Sequence, residues 1–171
     1  MNDDLDRKLC EKYPLIFRDR HGDMMKTAMC WGFAHGDGWY NIIDAMCARI
    51  QGHIDFSYDQ IKWAQKWNDN VNDPDYVWTA FVKREERPIP EPVEQVVATQ
   101  IKEKFGGLRF YYNGGDDYIR GVVDMAEEMS YCTCEVCGSS GKLRRTGWYR
   151  TLCDTHAKEA GYDTDNDEEN L

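Results

Sequence analysis

Cys134 and Cys137 stand two residues apart, fifteen residues separate Cys137 from Cys153, and two more separate Cys153 from His156. No other feature of the chain constrains its folding as tightly. A two-residue gap lets one tight turn present two side chains to the same point. Two such pairs supply the four soft or borderline ligands that a tetrahedral zinc ion takes. Gly138, directly after the second cysteine, suits the chain reversal of a zinc knuckle. Four protein ligands leave no position for water, whereas a catalytic zinc keeps one open, so the pattern reads as a structural Zn2+ site. Cys132, two residues upstream of Cys134, is a spare thiol that could stand in for one ligand.

The other cysteines support the same reading. Seven is an odd number, and their crowding toward one end fits a reduced compartment and a metal better than a disulfide framework. The opening MNDDLDRKLC is acidic where a secretory signal is basic, and no window approaches the ~18 apolar residues of a membrane span. A cytoplasmic protein without a membrane partner is therefore expected.

Hydrophobic periodicity divides the rest. Asp4 to Tyr13 reads as a short helix that stops at Pro14. Thr27 to Phe33 reads as a strand between the turn-forming triplets His21-Gly22-Asp23 and His35-Gly36-Asp37. Trp39, Ile42, Ile43, Met46, Cys47 and Ile50 trace one face of an amphipathic helix, with Asp37 placed to cap it and Gly52 to end it. A second helix is expected from Ser57, at a capping-box-like Ser57 to Gln60, through Trp67. Tyr76 to Val82 has strand composition.

Residues near 87–92 form a proline-rich extended linker. Beyond it, Val93, Val96, Val97, Ile101 and Phe105 suggest a helix closed by Gly106 and Gly107. Leu108 to Tyr112 reads as a strand, and Asp116 to Tyr131 as a helix with Ile119, Val122, Ala126 and Met129 inward. The sum is an α+β fold. A mixed body spans 1–131, a zinc module 132–160, and a solvated acidic tail 161–171.

Two glycine-aromatic segments, HGDGWY and EKFGGLRFYY, allow two readings. Glycine lets a ligand approach the backbone, so Trp39, Lys104, Arg109 and Tyr111 could hold the base and phosphate of a nucleotide. In the other reading the glycines close secondary structure and the aromatics fill a core. Between the metal pairs, Arg144, Arg145, Trp148 and Arg150 form a basic, aromatic hairpin suited to a partner protein, the acidic tail or nucleic acid. The formal net charge of -10 disfavours nucleic acid among these. Common enzyme signatures such as G-x-S-x-G, H-E-x-x-H and the Walker and Rossmann loops are absent from the sequence, and no catalytic residue is assigned.

The strings YPLIFRDRHGDM, CWGFAHGDGWYNIID, IKEKFGGLRFYY and CEVCGSSGKLRRTGWYRTLCDTHA together resemble a family of small uncharacterised bacteriophage and prophage proteins with a C-terminal zinc knuckle. The likeness covers most of the chain except the 54–90 region and the tail. It implies an accessory protein in the host bacterial cytoplasm that acts by binding, inhibiting a host protein or a component of anti-phage defence. Sequestration of a nucleotide immune signal and nucleic-acid-binding regulation are the alternatives. The dense aromatics suit a homo-oligomer contact and burial in a monomer core equally well.

Overall fold

Gly52 does not end the central helix. In the computed structural model, which describes residues 1–76, 85–145 and 147–162, one helix runs from Tyr40 to Asn72 and absorbs both helices expected there. We number the helices α1 (Asp3–Lys12), α2 (Tyr40–Asn72), α3 (Asp117–Ser130) and α4 (Asp154–Glu159). The strands are β1 (Phe33–Ala34), β2 (Val97–Lys104), β3 (Gly107–Asn113), β4 (Lys142–Arg144) and β5 (Arg150–Leu152). The fold is α+β, as the sequence suggests. Residues 77–82 of the strand expected over Tyr76 to Val82, and most of the acidic tail, lie outside the described residues.

A helix-interior glycine costs about 1 kcal/mol relative to alanine, which burial on both sides readily outweighs. Ile50 and Ile54 flank Gly52 and are both fully buried. Ser57 is no cap either. Its hydroxyl turns inward, donating to the Ile54 carbonyl at 2.7 Å and accepting from the Val93 amide at 3.0 Å. Nor does Asp37 cap α2, because its carboxylate accepts from the Asn2 amide and side chain, both at 2.7 Å.

The far end of α2 carries the proline-rich segment. Asn68 exchanges two hydrogen bonds with the Arg87 backbone, at 2.8 and 2.9 Å, and the Trp67 indole donates to the Glu85 carbonyl. A single side-chain amide thus mimics a strand partner for a stretch that has few backbone donors of its own.

The segment expected as a helix from Val93 to Phe105 is instead β2, the middle strand of a three-stranded sheet ordered β1-β2-β3. β1 runs parallel to it and β3 antiparallel, with Ile101 opposite Phe110. A bulge between Ala98 and Gln100 shifts the in-out alternation by one residue. That shift spreads Val96, Val97, Ala98 and Ile101 into a spacing that imitates a helical stripe. The expected cap at Gly106-Gly107 is a hairpin turn in which Phe105 and Gly106 both have positive φ, 56° and 81°.

The strand expected from Thr27 to Phe33 shrinks to β1. The Thr27 hydroxyl accepts from the Met29 amide and starts a 3-10 turn over Ala28–Trp31, which Gly32 ends at φ 76°. In α3 the buried face is Ile119, Val123 and Ala126, so Val122 and Met129 sit farther out than the periodicity suggested, and Met129 is exposed. The core is formed by the inner faces of α2, α3, β2 and β3 together with Leu9, Ile16, Phe17 and Met29.

Candidate metal centre

The metal-ligand pairs come from two small elements facing each other. Cys134 and Cys137 lie on a tight loop in which the Gly138 amide donates to the Cys134 carbonyl at 2.9 Å and the Cys134 amide to the Ser139 carbonyl at 2.7 Å. Gly138 takes φ 76°, the left-handed conformation expected of it. Cys153 ends the β4–β5 hairpin and is the N-cap of α4. One turn of helix later, His156 returns to the same side.

The four ligand atoms lie within 4.8 Å of one another. His156 Nδ1 is 3.5 Å from Cys134 Sγ and 3.2 Å from Cys153 Sγ, while Cys137 Sγ is 3.9 Å from Cys153 Sγ. Around a tetrahedral ion with metal-sulfur bonds of about 2.3 Å and a metal-nitrogen bond of about 2.0 Å, these edges come to about 3.8 and 3.5 Å. The residues therefore fit a four-coordinate metal ion. His156 Nε2, on the opposite edge of the ring, faces the Glu159 carboxylate at 3.9 Å, the arrangement that orients a ligating imidazole. Hydrogen bonds from Ser139 hold the Cys137 thiol down at about 6, favouring the thiolate, whereas burial pushes the Cys134 thiol up. Cys132 is outside this cluster, with its thiol against the Met129 carbonyl at 3.2 Å.

The knuckle is seated on the body through the glycines of HGDGWY. The Gly38 amide donates to the Glu135 carbonyl at 2.8 Å, and the Gly36 amide to Glu135 Oε1 at 3.0 Å. A β-carbon at Gly36 would lie 2.3 Å from the Glu135 carbonyl oxygen. Trp39, a base contact in one of the two readings of the glycine-aromatic segments, is fully buried and donates its indole N-H to the Thr133 carbonyl at 2.9 Å. It packs between the knuckle and α2 and is closed to any ligand. The glycines of EKFGG serve the other half of the module. The Thr151 hydroxyl donates to the Gly106 carbonyl at 2.6 Å, and a β-carbon at Gly106 would strike Leu143.

Arg109 is likewise taken up internally. Its guanidinium donates to the Leu108 carbonyl and the Tyr131 hydroxyl, each at 2.6 Å, and lies 3.4 Å from Glu127. Tyr111 is exposed on the outer face of β3, with Lys102 Nζ 5.5 Å from its ring centre. The four hairpin residues separate. Arg144 is 1% exposed and reaches Asp154 at 2.5 Å and the Leu152 carbonyl, so it braces the metal module and cannot contact a partner. Arg150 pairs with Glu135 at 3.2 Å. Arg145 and Trp148 remain at the surface. Lys104 and Trp148, from two unrelated sequence motifs, line one cavity of about 550 Å³.

Glu135 had no signal in the sequence beyond its place inside C-x2-C, yet it is buried and joins Gly36, Gly38 and Arg150. The histidine triplets hold turns. Asp23 accepts from the Met25 amide, and the buried His35 ring bonds the Gly36 carbonyl at 2.8 Å. Comparison with models of known protein families, with curated proteins and with solved structures returns no match. Among the described residues no helix is long and apolar enough to cross a membrane.

Proposed function

We propose that the chain is a binding protein built around one structural zinc ion held by Cys134, Cys137, Cys153 and His156. The donor set supports zinc: three sulfurs and one imidazole nitrogen at tetrahedral spacing suit a borderline-soft ion without geometric preference of its own. Four protein ligands fill that coordination, so the ion contributes folding energy and rigidity. The observation that carries the reading is the seating of Glu135 on Gly36 and Gly38, which makes the metal module an integral wall of the body.

The resemblance to phage proteins supports a bacterial host protein as partner, including a component of anti-phage defence, met in the host cytoplasm. Net acidity suits a basic surface on that partner. The groove between α2 and α3, about 640 Å³ and lined by Ile42, Met46, Val122, Met125 and Met129, supplies an apolar contact surface with adaptable methionines. Native mass spectrometry of protein isolated from bacterial cells tests both parts. One zinc per chain is expected, together with a host protein that Met125→Glu releases without loss of zinc. A folded chain carrying no zinc overturns the metal assignment, and a host protein retained equally by Met125→Glu overturns the role of the groove.

A further inference from the structure

The cavity shared by Lys104 and Trp148 lies apart from the metal centre. One wall is the end of β2 and its turn, Lys102, Lys104 and Phe105, and the other is the loop of the β4–β5 hairpin, Gly147, Trp148 and Tyr149. The walls are fixed to each other by the Thr151 to Gly106 hydrogen bond and by Leu143 packed over Gly106. The Tyr162 hydroxyl donates to the Trp148 carbonyl and ties down the loop.

Three features of this cavity are not explained by folding. Phe105 is the one non-glycine residue at positive φ among the described residues, a position where a bulky side chain is strained. It is 65% exposed, and Trp148 is 74% exposed, so burial offsets neither the strain nor the apolar surface. Lys102 and Lys104 make no ion pair among the described residues, although acidic side chains outnumber basic ones by 31 to 21. Lys104 Nζ instead stands 5.2 Å from the Phe105 ring centre and Lys102 Nζ 5.5 Å from that of Tyr111, each over a ring and free of any carboxylate among the described residues. The carboxylate within the cavity, Glu103, is occupied by the Gly106 amide at 2.6 Å.

Flat apolar rings beside unpaired ammonium groups recognise a ligand that is aromatic at one end and anionic at the other. We propose that this cradle binds a free nucleotide, its base stacked on the Phe105, Trp148 and Tyr149 side and its phosphate held by Lys102 and Lys104. Aromatic stacking is tolerant of base identity, and lysine serves phosphate as a point charge. A cavity of about 550 Å³ suits one such molecule. The charge of -10 repels a polyanionic strand far more than a ligand with one or two phosphates. The site goes beyond the partner-binding reading and does not depend on it, but it needs the hairpin that the metal holds.

The test is an NMR titration of the zinc-loaded full chain with 5′-AMP, 5′-GMP and 5′-UMP, with the matching nucleosides, and with a short oligothymidylate. Saturable shifts are expected at Lys102, Lys104, Phe105 and Tyr149 and at the Trp148 indole. Each nucleotide should bind about tenfold more tightly than its nucleoside, equivalent to roughly 1.4 kcal/mol of phosphate recognition. The double variant Lys102→Ala/Lys104→Ala should erase that difference, and Trp148→Ala should weaken nucleotide and nucleoside alike. Absence of saturable shifts up to about 10 mM, where affinity falls to non-specific levels, overturns the proposal. Equal affinity for nucleosides, shifts mapping elsewhere, or tighter binding of the oligomer than of any nucleotide do so as well. Zinc content measured on each sample separates loss of the cradle from loss of the metal.

Discussion

The carbonyl oxygen of Cys134 faces the α-carbon of Gly38 so closely that a β-carbon there would lie 2.1 Å from it. Backbone meets backbone at this point, and neither side can step aside as a flexible side chain would. Gly38→Ala should therefore lower the stability of the metal-loaded protein by about 3 kcal/mol, in the upper range for overpacking. Gly52→Ala, at a helical glycine with nothing within 4 Å, should raise stability by about 0.5–1 kcal/mol. Urea denaturation of the two variants beside the parent checks both signs.

Arg144 and Arg145 are adjacent in sequence and opposite in role. Arg144→Ala leaves Asp154, next to the ligand Cys153, without its cation. Metal transfer to a chromogenic chelator should become several-fold faster, because the hairpin end that carries Cys153 loses its buried brace. Arg145→Ala should leave that rate unchanged. Equal rates for the two variants would show that Arg144 does not brace the centre.

His35 gives the stability an acid limb. Burial holds its imidazole down at about 4, and its Nε2 is buried with no hydrogen-bond partner among the described residues. In the unfolded chain the ring titrates near 6.5, so between about pH 6.5 and 4 the unfolded state binds the proton that the native state refuses. Stability from this residue is complete above pH 6.5 and falls as pH drops toward 4, by about 3 kcal/mol in all. Protonation of the metal thiolates also acts in acid, so the comparison is with His35→Phe. The difference in unfolding free energy between parent and variant should shift by about that amount across the window, and a constant difference would rule the residue out.

Metal spectroscopy distinguishes the two nearby thiols. With Co2+ in place of Zn2+, the parent and Cys132→Ser should give the same thiolate charge-transfer bands, since Cys132 lies outside the cluster. Cys137→Ser should lose part of that intensity and bind the ion at least about tenfold more weakly. Altered bands in Cys132→Ser would assign that thiol to the first coordination sphere.

The Cys/His cluster was legible because its spacing is local: two residues between donors is a statement about one turn. The apolar stripe from Trp39 through Ile50 of α2 was legible for the same reason, as its period needs no partner. β2 was misread because its bulge at Ala98 and Gln100 breaks the period of two, a disruption defined only by β3 opposite. Arg144 reads as a surface residue because nothing in its neighbourhood announces burial, and Trp39, although on the apolar stripe, is left between core and ligand contact. Their partners, Asp154 and the Thr133 carbonyl, belong to elements brought together by the metal module. Of the two readings of the glycine motifs, close backbone approach holds, but what approaches HGDGWY is the chain's own knuckle and what approaches Gly106 is the β4–β5 hairpin.

The seating of Cys134 and Glu135 on Gly36 and Gly38 also has a consequence for synthesis. The ribosome delivers residues 36–39 long before it delivers His156, a delay on the order of ten seconds at usual elongation speeds. Throughout that interval the HGDGW surface and one side of Trp39 lack their cover, and under the proposed zinc reading the cover would close only once the last ligand has emerged and captured an ion. Newly made chains in zinc-starved cells would carry this open flank until proteases reached them, so the supply of metal during translation would set how much of the protein accumulates.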